Sequence, residues 1–353
     1  MTADHLLAVE GLRTHVRTDE GTTRAVDGVS FTVDRGETVC LVGESGSGKT
    51  VTTQSLTRIV PTPPADIVDG SVTFDGTDLL AADDATLRSV RGDRIAHVFQ
   101  DPQRALDPVY TVGEQIVEAI RIHREVSRAA ARERGVELLG RVGIPRPAVR
   151  IDDYPHEFSQ GMCQRVAVAV ALAADPDLIV ADEPTTALDV TVQARLLDLL
   201  SELTGDDTAL LLVTHDLRVV AAVADRVLVM YGGTVVERGP TAAVFERPAH
   251  PYTQALFDSF RGLPASEDSP ARVDVPIDGC RFREECPHAE SACEGGEQPA
   301  FHPVDGDEAH AASCVYYAAD RDPGPILAEA RSLTESAVSP AGEDDGIGGG
   351  ADE

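Results

Sequence analysis

Gly43-Glu-Ser-Gly-Ser-Gly-Lys49-Thr50 is the stretch on which the fold turns. The octapeptide follows a run of β-formers, Glu37-Thr-Val-Cys-Leu-Val42, and precedes residues whose spacing predicts a helix from Lys49 to Val60, closed by Pro61-Thr-Pro-Pro64. It therefore lies where a strand gives way to a helix, the setting in which the pattern G-x-x-x-x-G-K-[ST] cradles phosphate. Gly43, Gly46 and Gly48, with Ser45 between them, let the backbone wrap close to a pyrophosphate. Its charge is met by free N–H groups and the positive end of the helix dipole. Lys49 reaches the β- and γ-phosphates, and the Thr50 hydroxyl binds Mg²⁺.

Lys49 is also the only lysine in the chain; the other 29 of its 30 basic residues are arginine. A composition biased against Lys has kept one where a compact point charge suits phosphate. The 60 acidic residues leave a net charge of −30, which repels nucleic-acid backbones and argues against nucleic acid as a partner. High acidity, scarce Lys and few aromatics fit a protein kept hydrated by its carboxylates in the cytoplasm of a halophile. A length of 353 residues predicts about two domains. The N-terminus lacks the basic and apolar regions of a signal peptide. Val166–Ala174 and Ala209–Val213 are too short to span a bilayer.

Outward from the glycine-rich loop, the fold class is α/β. Continuous apolar strands at Leu178–Ala181 and Ala209–Val213 alternate with predicted helices at Gln160–Ala174 and Val190–Leu203. Strands without a polar face imply a mainly parallel sheet covered on both sides. Shorter strands are expected at Ser71–Phe74 and Ile95–Phe99, and a closing hairpin at Val227–Met230 and Thr234–Glu237. The Arg/Glu/Ala-rich stretch from Thr111 to Val142 has helical spacing, part of a subdomain inserted at about 103–165. Leu178-Ile-Val-Ala-Asp182-Glu183-Pro184 delivers two acids to the end of a buried strand, where α/β sheets bind ligands. Asp182 would hold Mg²⁺, while Glu183 would orient the attacking water or take its proton. Gln100 closes the strand Ile95–Phe99 and His215 the strand Ala209–Val213, polar groups at equivalent strand ends; each alone would read as an ordinary surface residue.

The order P-loop, Gln100, Phe158-Ser159-Gln160-Gly161-Met162, Asp182-Glu183, Ala187-Leu188-Asp189 and His215 resembles the nucleotide-binding subunit of an ABC transporter over residues 5–245. The resemblance implies a P-loop NTPase fold and a head-to-tail dimer with two ATP molecules between its subunits. Ser159 and Gly161 of one protomer would touch the γ-phosphate held by Lys49 of the other. By the same resemblance Gln100 senses Mg²⁺ and the transmembrane partner, Asp189 links the two sites, and His215 contacts the γ-phosphate. Two features depart from the family pattern. Gln160 replaces the first glycine of the Leu-Ser-Gly-Gly signature, and Thr14-His15-Val16 lacks the adenine-stacking aromatic, leaving His15 as the one ring there. A soluble ABC ATPase of DNA repair or translation is the alternative. Only about 110 residues separate Lys49 from Ser159, and there is one cassette on an acidic chain, which speaks for the transporter. Glu183 and His215 speak against a nucleotide-binding module without turnover.

Phe99-Gln-Asp-Pro102, Leu106-Asp-Pro-Val-Tyr-Thr-Val-Gly-Glu-Gln115, Tyr154-Pro-His-Glu157 and His250-Pro-Tyr-Thr253 narrow the resemblance to ATPase subunits of dipeptide, oligopeptide and nickel importers. This implies two permease subunits, a second ABC ATPase subunit, an extracellular solute-binding protein acting indirectly, and a place at the cytoplasmic face of the membrane. It extends the likeness through a C-terminal extension at 246–320 that carries Cys280, Cys286, Cys293 and Cys314, leaving 321–353 as an acidic tail too poor in apolar surface to order itself. Those cysteines do not have the spacing of zinc ribbons, and disulfides are disfavoured in a reducing cytosol. A soft metal centre, zinc, or no metal are the readings open to them, and the subfamily resemblance implies a [4Fe–4S] cluster. Cys40, in a buried strand, reads as core packing.

Overall fold

The computed structural model describes residues 5–19, 21–185, 190–203, 208–260 and 275–328. In chain order its strands are β1 (Leu7–Thr18), β2 (Gly21–Val33), β3 (Thr38–Val42), β4 (Ala65–Phe74), β5 (Thr77–Asp78), β6 (Ile95–Val98), β7 (Leu178–Asp182), β8 (Ala209–Thr214), β9 (Arg226–Tyr231), β10 (Thr234–Pro240), β11 (His302–Val304) and β12 (Asp307–Ala312). They form a four-stranded sheet, β2-β1-β4-β5, and an eight-stranded sheet, β11-β12-β10-β9-β3-β8-β7-β6. The alternation of side chains along β3 explains how the layers meet. Val39 and Leu41 enter a core shared with Leu7, Val29 and Phe74 of the smaller sheet. Cys40 and Val42 face the opposite way, into a core with Val166, Leu196 and Leu212. Each apolar side chain so buried contributes roughly 1.5–3 kcal/mol. Cys40 is wholly inside, and burial pushes its thiol pKa far up.

The expected parallel sheet is the five-stranded part β9-β3-β8-β7-β6 of the larger one. β3 pairs in parallel with β8 and β9, and β7 with β6 and β8, whereas β10 runs antiparallel to both β9 and β12. Of the smaller antiparallel sheet the sequence shows β-rich runs at Val26–Val33 and Ser71–Phe74, within β2 and β4, but not the pairing of β1 with β4, for a physical reason. Its β1–β4 register slips between Glu10 and Arg13, at Gly11 and the facing Gly70, both with positive φ. A Cβ on Gly70 would come 2.6 Å from Leu12 Cα, so the bulge needs glycine and breaks the two-residue alternation by which strands are recognised.

The helix after the glycine-rich loop spans Lys49–Leu56, shorter than expected, because Arg58 turns to φ 55° two residues later. The helical stretch after Thr111 divides into Val112–His123 and Arg128–Arg141. A capping box of Thr111 and Glu114 starts the first, and Ser127 Oγ caps the second. Ile116 and Ile120 of the first pack with Leu138 and Leu139 of the second. The helix Gln160–Ala171 tightens into a 3₁₀ turn, Leu172–Ala174, before β7.

In the C-terminal extension β12 joins β10, with Glu237 opposite Ala312, and the helix Pro251–Phe260 packs beneath. Residues 324–328 are helical, Ile326 is buried, and its carbonyl accepts from Gln254 Nε2 at 3.1 Å. The ordered chain thus continues past residue 321, where the acidic tail is expected to begin; residues 329–353 lie outside the described part. Among the described residues no helix is long and apolar enough to cross a membrane.

Candidate active site

The C-terminal ends of β3, β6, β7 and β8 bring the glycine-rich loop, Gln100, Asp182, Glu183 and His215 to one edge of the large sheet. Between them lies a cavity of about 520 Å³ lined by Ser45, Gly46, Gly48, Lys49 and Thr50 on one side and Gln100, Glu183 and His215 on the other. Ala25 and Val51 complete its wall. Sequence reasoning misses both, since neither side chain carries any chemistry.

The loop's glycines are required by space as well as by dihedral angle. Gly43 has φ 151° and Gly48 φ 104°; a Cβ on either would fall 2.1 Å from a backbone oxygen, that of Met230 or of Ala25. Lys49 Nζ donates to Gly43 O at 2.8 Å, Glu44 O at 2.6 Å and Ser47 Oγ at 3.3 Å. Burial lowers the pKa of this ammonium, against the pull of Glu183, Asp182 and Glu44.

Asp182, at the end of β7, is 6% exposed, and its Oδ1 is buried without a hydrogen-bond partner. Burial is the main force raising its pKa, with neighbouring Glu183 adding to it and the Thr50 hydroxyl and Lys49 opposing it. An acid held this way beside a threonine hydroxyl has the donor set a hard divalent cation takes. The residues fit a nucleotide accompanied by such a cation.

Glu183 follows with φ 45°, its N–H given to Val213 O at 2.9 Å. That left-handed residue ends the strand and turns the carboxylate outward. Glu183 Oε2 accepts from Gln100 Nε2 at 3.0 Å, and Oε1 lies 3.4 Å from His215 Nδ1. Three residues that lie apart in sequence therefore meet at one carboxylate facing the loop.

Ser159 and Gly161 sit elsewhere. Ser159 caps the helix Gln160–Ala171 by accepting Met162 N–H at 3.3 Å, and neither residue lines the cavity. Asp189 lies outside the described residues. His15, the ring nearest the expected adenine position in sequence, does not line the cavity either; its Nε2 is buried without a partner.

Cys280, Cys286, Cys293 and Cys314 form no disulfide. Their thiols lie near enough to feel one another: burial first, then the other three sulfurs, pushes the Cys314 thiol up to about 12. The expected metal-ligand set is nevertheless not what the structure displays. Among the described residues no group of three or more His, Cys, Asp or Glu side chains is arranged to hold a metal ion. The segment joins the main core instead: Phe282 packs on the rings of Tyr252 and Tyr231, and Cys280 and Cys293 are buried in the same cluster.

Comparison with known proteins agrees with this geometry. The family model described as ABC transporter matches residues 26–186, and the one described as oligopeptide/dipeptide transporter, C-terminal region, matches residues 236–293. A probable peptide ABC transporter ATP-binding protein of Sinorhizobium fredii is 46% identical over 321 residues, covering 88% of this chain and 95% of its own. The oligopeptide transport ATP-binding protein OppD of Bacillus subtilis is 48% identical over 262 residues, covering 74% of this chain and 73% of its own. Among solved structures, the dimeric ATP-binding cassette MJ0796 bound to ADP and Pi superposes with a TM-score of 0.61 at 28% identity, over 67% of this chain and 98% of that one.

Proposed function

Since the chain belongs to the family of peptide ABC transporter ATP-binding subunits, we propose that it hydrolyses ATP to energise an importer of peptides or related solutes. The observation that carries this reading is the meeting of Gln100, Glu183 and His215 across one cavity from the Lys49 loop. In this reading the loop amides and Lys49 bind the β- and γ-phosphates. Thr50, Asp182 and Gln100 would hold Mg²⁺, which would supply charge neutralisation for the phosphates. Glu183 orients the attacking water and receives its proton, and His215 holds the γ-phosphate. Ser159, which is exposed, and Gly161, which is half-buried, lie outside this cavity; in this reading they complete the site of a second ATPase subunit, with Asp189 between the two sites.

The same reading gives the chain two permease subunits as partners, with an extracellular solute-binding protein upstream, and places it at the cytoplasmic face of the membrane. Its net charge of −30 and single lysine favour a halophilic origin and activity in molar salt. The test is ATPase activity of the chain reconstituted in high salt with its permeases. Turnover stimulated by a loaded solute-binding protein supports the reading, and recovery of the chain in a stable complex with ribosomes or DNA sinks it.

For the four C-terminal cysteines the finer reading is a [4Fe–4S] cluster with a structural role. The nearness of the four thiols supports it, and the lack of a metal-holding group among the described residues weighs against it. Brown, anaerobically purified protein with about four irons per chain would uphold it; protein without iron would remove it.

A further inference from the structure

The His250-Pro-Tyr-Thr253 motif has no part in the chemistry above, yet it is built with care. Glu237, wholly buried on β10, accepts Ala249 N–H at 2.8 Å on Oε1 and His250 N–H at 2.7 Å on Oε2, and His310 Nε2 meets Oε1 at 2.8 Å. His250 Nδ1 in turn accepts Tyr252 N–H at 3.1 Å. These bonds fix the start of the helix Pro251–Phe260 and aim the Tyr252 ring at the glycine-rich loop. The Tyr252 hydroxyl accepts the N–H of Glu44, inside that loop, at 3.0 Å.

The peptide plane that carries this N–H also carries the Gly43 carbonyl, which accepts from Lys49 Nζ at 2.8 Å. One peptide unit is thus clamped between Tyr252 on its outer side and the phosphate-binding ammonium on its inner side. Gly43 cannot yield toward Met230, whose carbonyl blocks that direction. Farther along the loop, Gly233 N–H holds Ser47 O at 3.0 Å.

Behind Tyr252 stands the cysteine-bearing segment 280–286. The Phe282 ring lies 5.5 Å from that of Tyr252 and 5.2 Å from that of Tyr231. Arg281 pairs with Asp27 of β2, and Glu285 accepts the Tyr231 hydroxyl. The segment is therefore anchored on both sides of the ring that reaches the loop.

We propose that Tyr252 is a positioning residue for nucleotide binding, holding the Gly43–Glu44 peptide against Lys49, and that segment 280–286 sets nucleotide affinity through the packing of Phe282 on Tyr252. The inference rests on ATP binding at this loop. A neutral hydrogen bond of this kind is worth roughly a two- to tenfold change in affinity.

The test measures ATP affinity, KM and kcat on the full chain. Tyr252→Phe keeps the ring and removes the acceptor; it should weaken ATP binding and raise KM about fivefold while kcat and melting temperature hardly move. Phe282→Ala should act in the same direction, and adding it to Tyr252→Phe should cost less than a further factor of two, since both work through one bond. Phe282→Leu, which keeps apolar volume, serves should the alanine variant fail to fold. Unchanged affinity in Tyr252→Phe, an equal loss of kcat and kcat/KM, or independent multiplication of the two effects would overturn the inference. Failure of the unaltered chain to bind ATP would overturn the site reading beneath it as well.

Discussion

Asp182 and Glu237 are both buried carboxylates of one sheet, on β7 and β10 with three strands between them, and they are opposites. Glu237 accepts two backbone N–H groups and meets His310, so both of its oxygens are engaged by the protein itself. Asp182 keeps an oxygen without a partner, and burial raises its pKa. Saturation separates the two roles: a buried charge whose bonds are complete holds the fold, whereas one left incomplete beside a cavity is kept for a ligand.

The largest effect expected from this contrast is at the incomplete end. Glu183→Gln should lower kcat by roughly 10²–10⁴-fold with ATP still bound, since the water loses its carboxylate while the phosphate cradle stays. Turnover at the normal rate in single-turnover assays would break the assignment. Asp182→Asn should likewise remove Mg²⁺-dependent turnover, yet leave the melting temperature of the nucleotide-free chain unchanged or higher, because it relieves an uncompensated buried charge.

The complete end should respond the other way. Glu237→Ala leaves buried N–H groups without an acceptor and should cost about 3–5 kcal/mol in denaturant unfolding. Glu237→Gln, which keeps one acceptor oxygen, should cost less. If Glu237→Ala unfolded like the parent chain and Asp182→Asn did not, saturation would be no guide to role.

Acid sharpens the contrast with a smaller effect. Burial holds the His250 ring down to about 3, while the unfolded ring takes its proton near the ordinary 6.5. Its contribution is complete above pH 6.5 and drains away as pH falls toward 3, by up to about 1.4 kcal/mol per pH unit. Asp182 runs against it. Its folded pKa is raised, so its contribution is full below the ordinary carboxylate value and is lost as pH rises through the folded one. Melting curves from pH 7 to 4 should therefore show a flatter acid limb for His250→Asn and a steeper one for Asp182→Asn.

What was legible in the sequence follows the same physics. The phosphate loop shows itself because its backbone admits only glycine at Gly43 and Gly48, a demand written in single letters. Asp182 and Glu183 stand out because four apolar residues precede them. The partnership of Gln100 and His215 with Glu183 is suggested by strand ends and depends on the parallel order of β6, β7 and β8. Tyr252 was invisible as a support for the loop: 208 positions separate it from Glu44, and the contact arises only when the C-terminal extension folds back. The cysteines show the limit of spacing arguments. Their nearness in sequence does bring the thiols together, but the side chains around them settle into an aromatic core.

The left-handed backbone at Glu183, with φ 45°, sets a trap for protein engineers. A side chain at such an angle costs about 1–2 kcal/mol that glycine would not, and glycine would also relieve the charge crowding beside Asp182. A library selected for heat tolerance alone should therefore drift toward Glu183→Gly and arrive at a hardier protein with no turnover. Any screen of this chain for durability has to be scored on phosphate release in the same well.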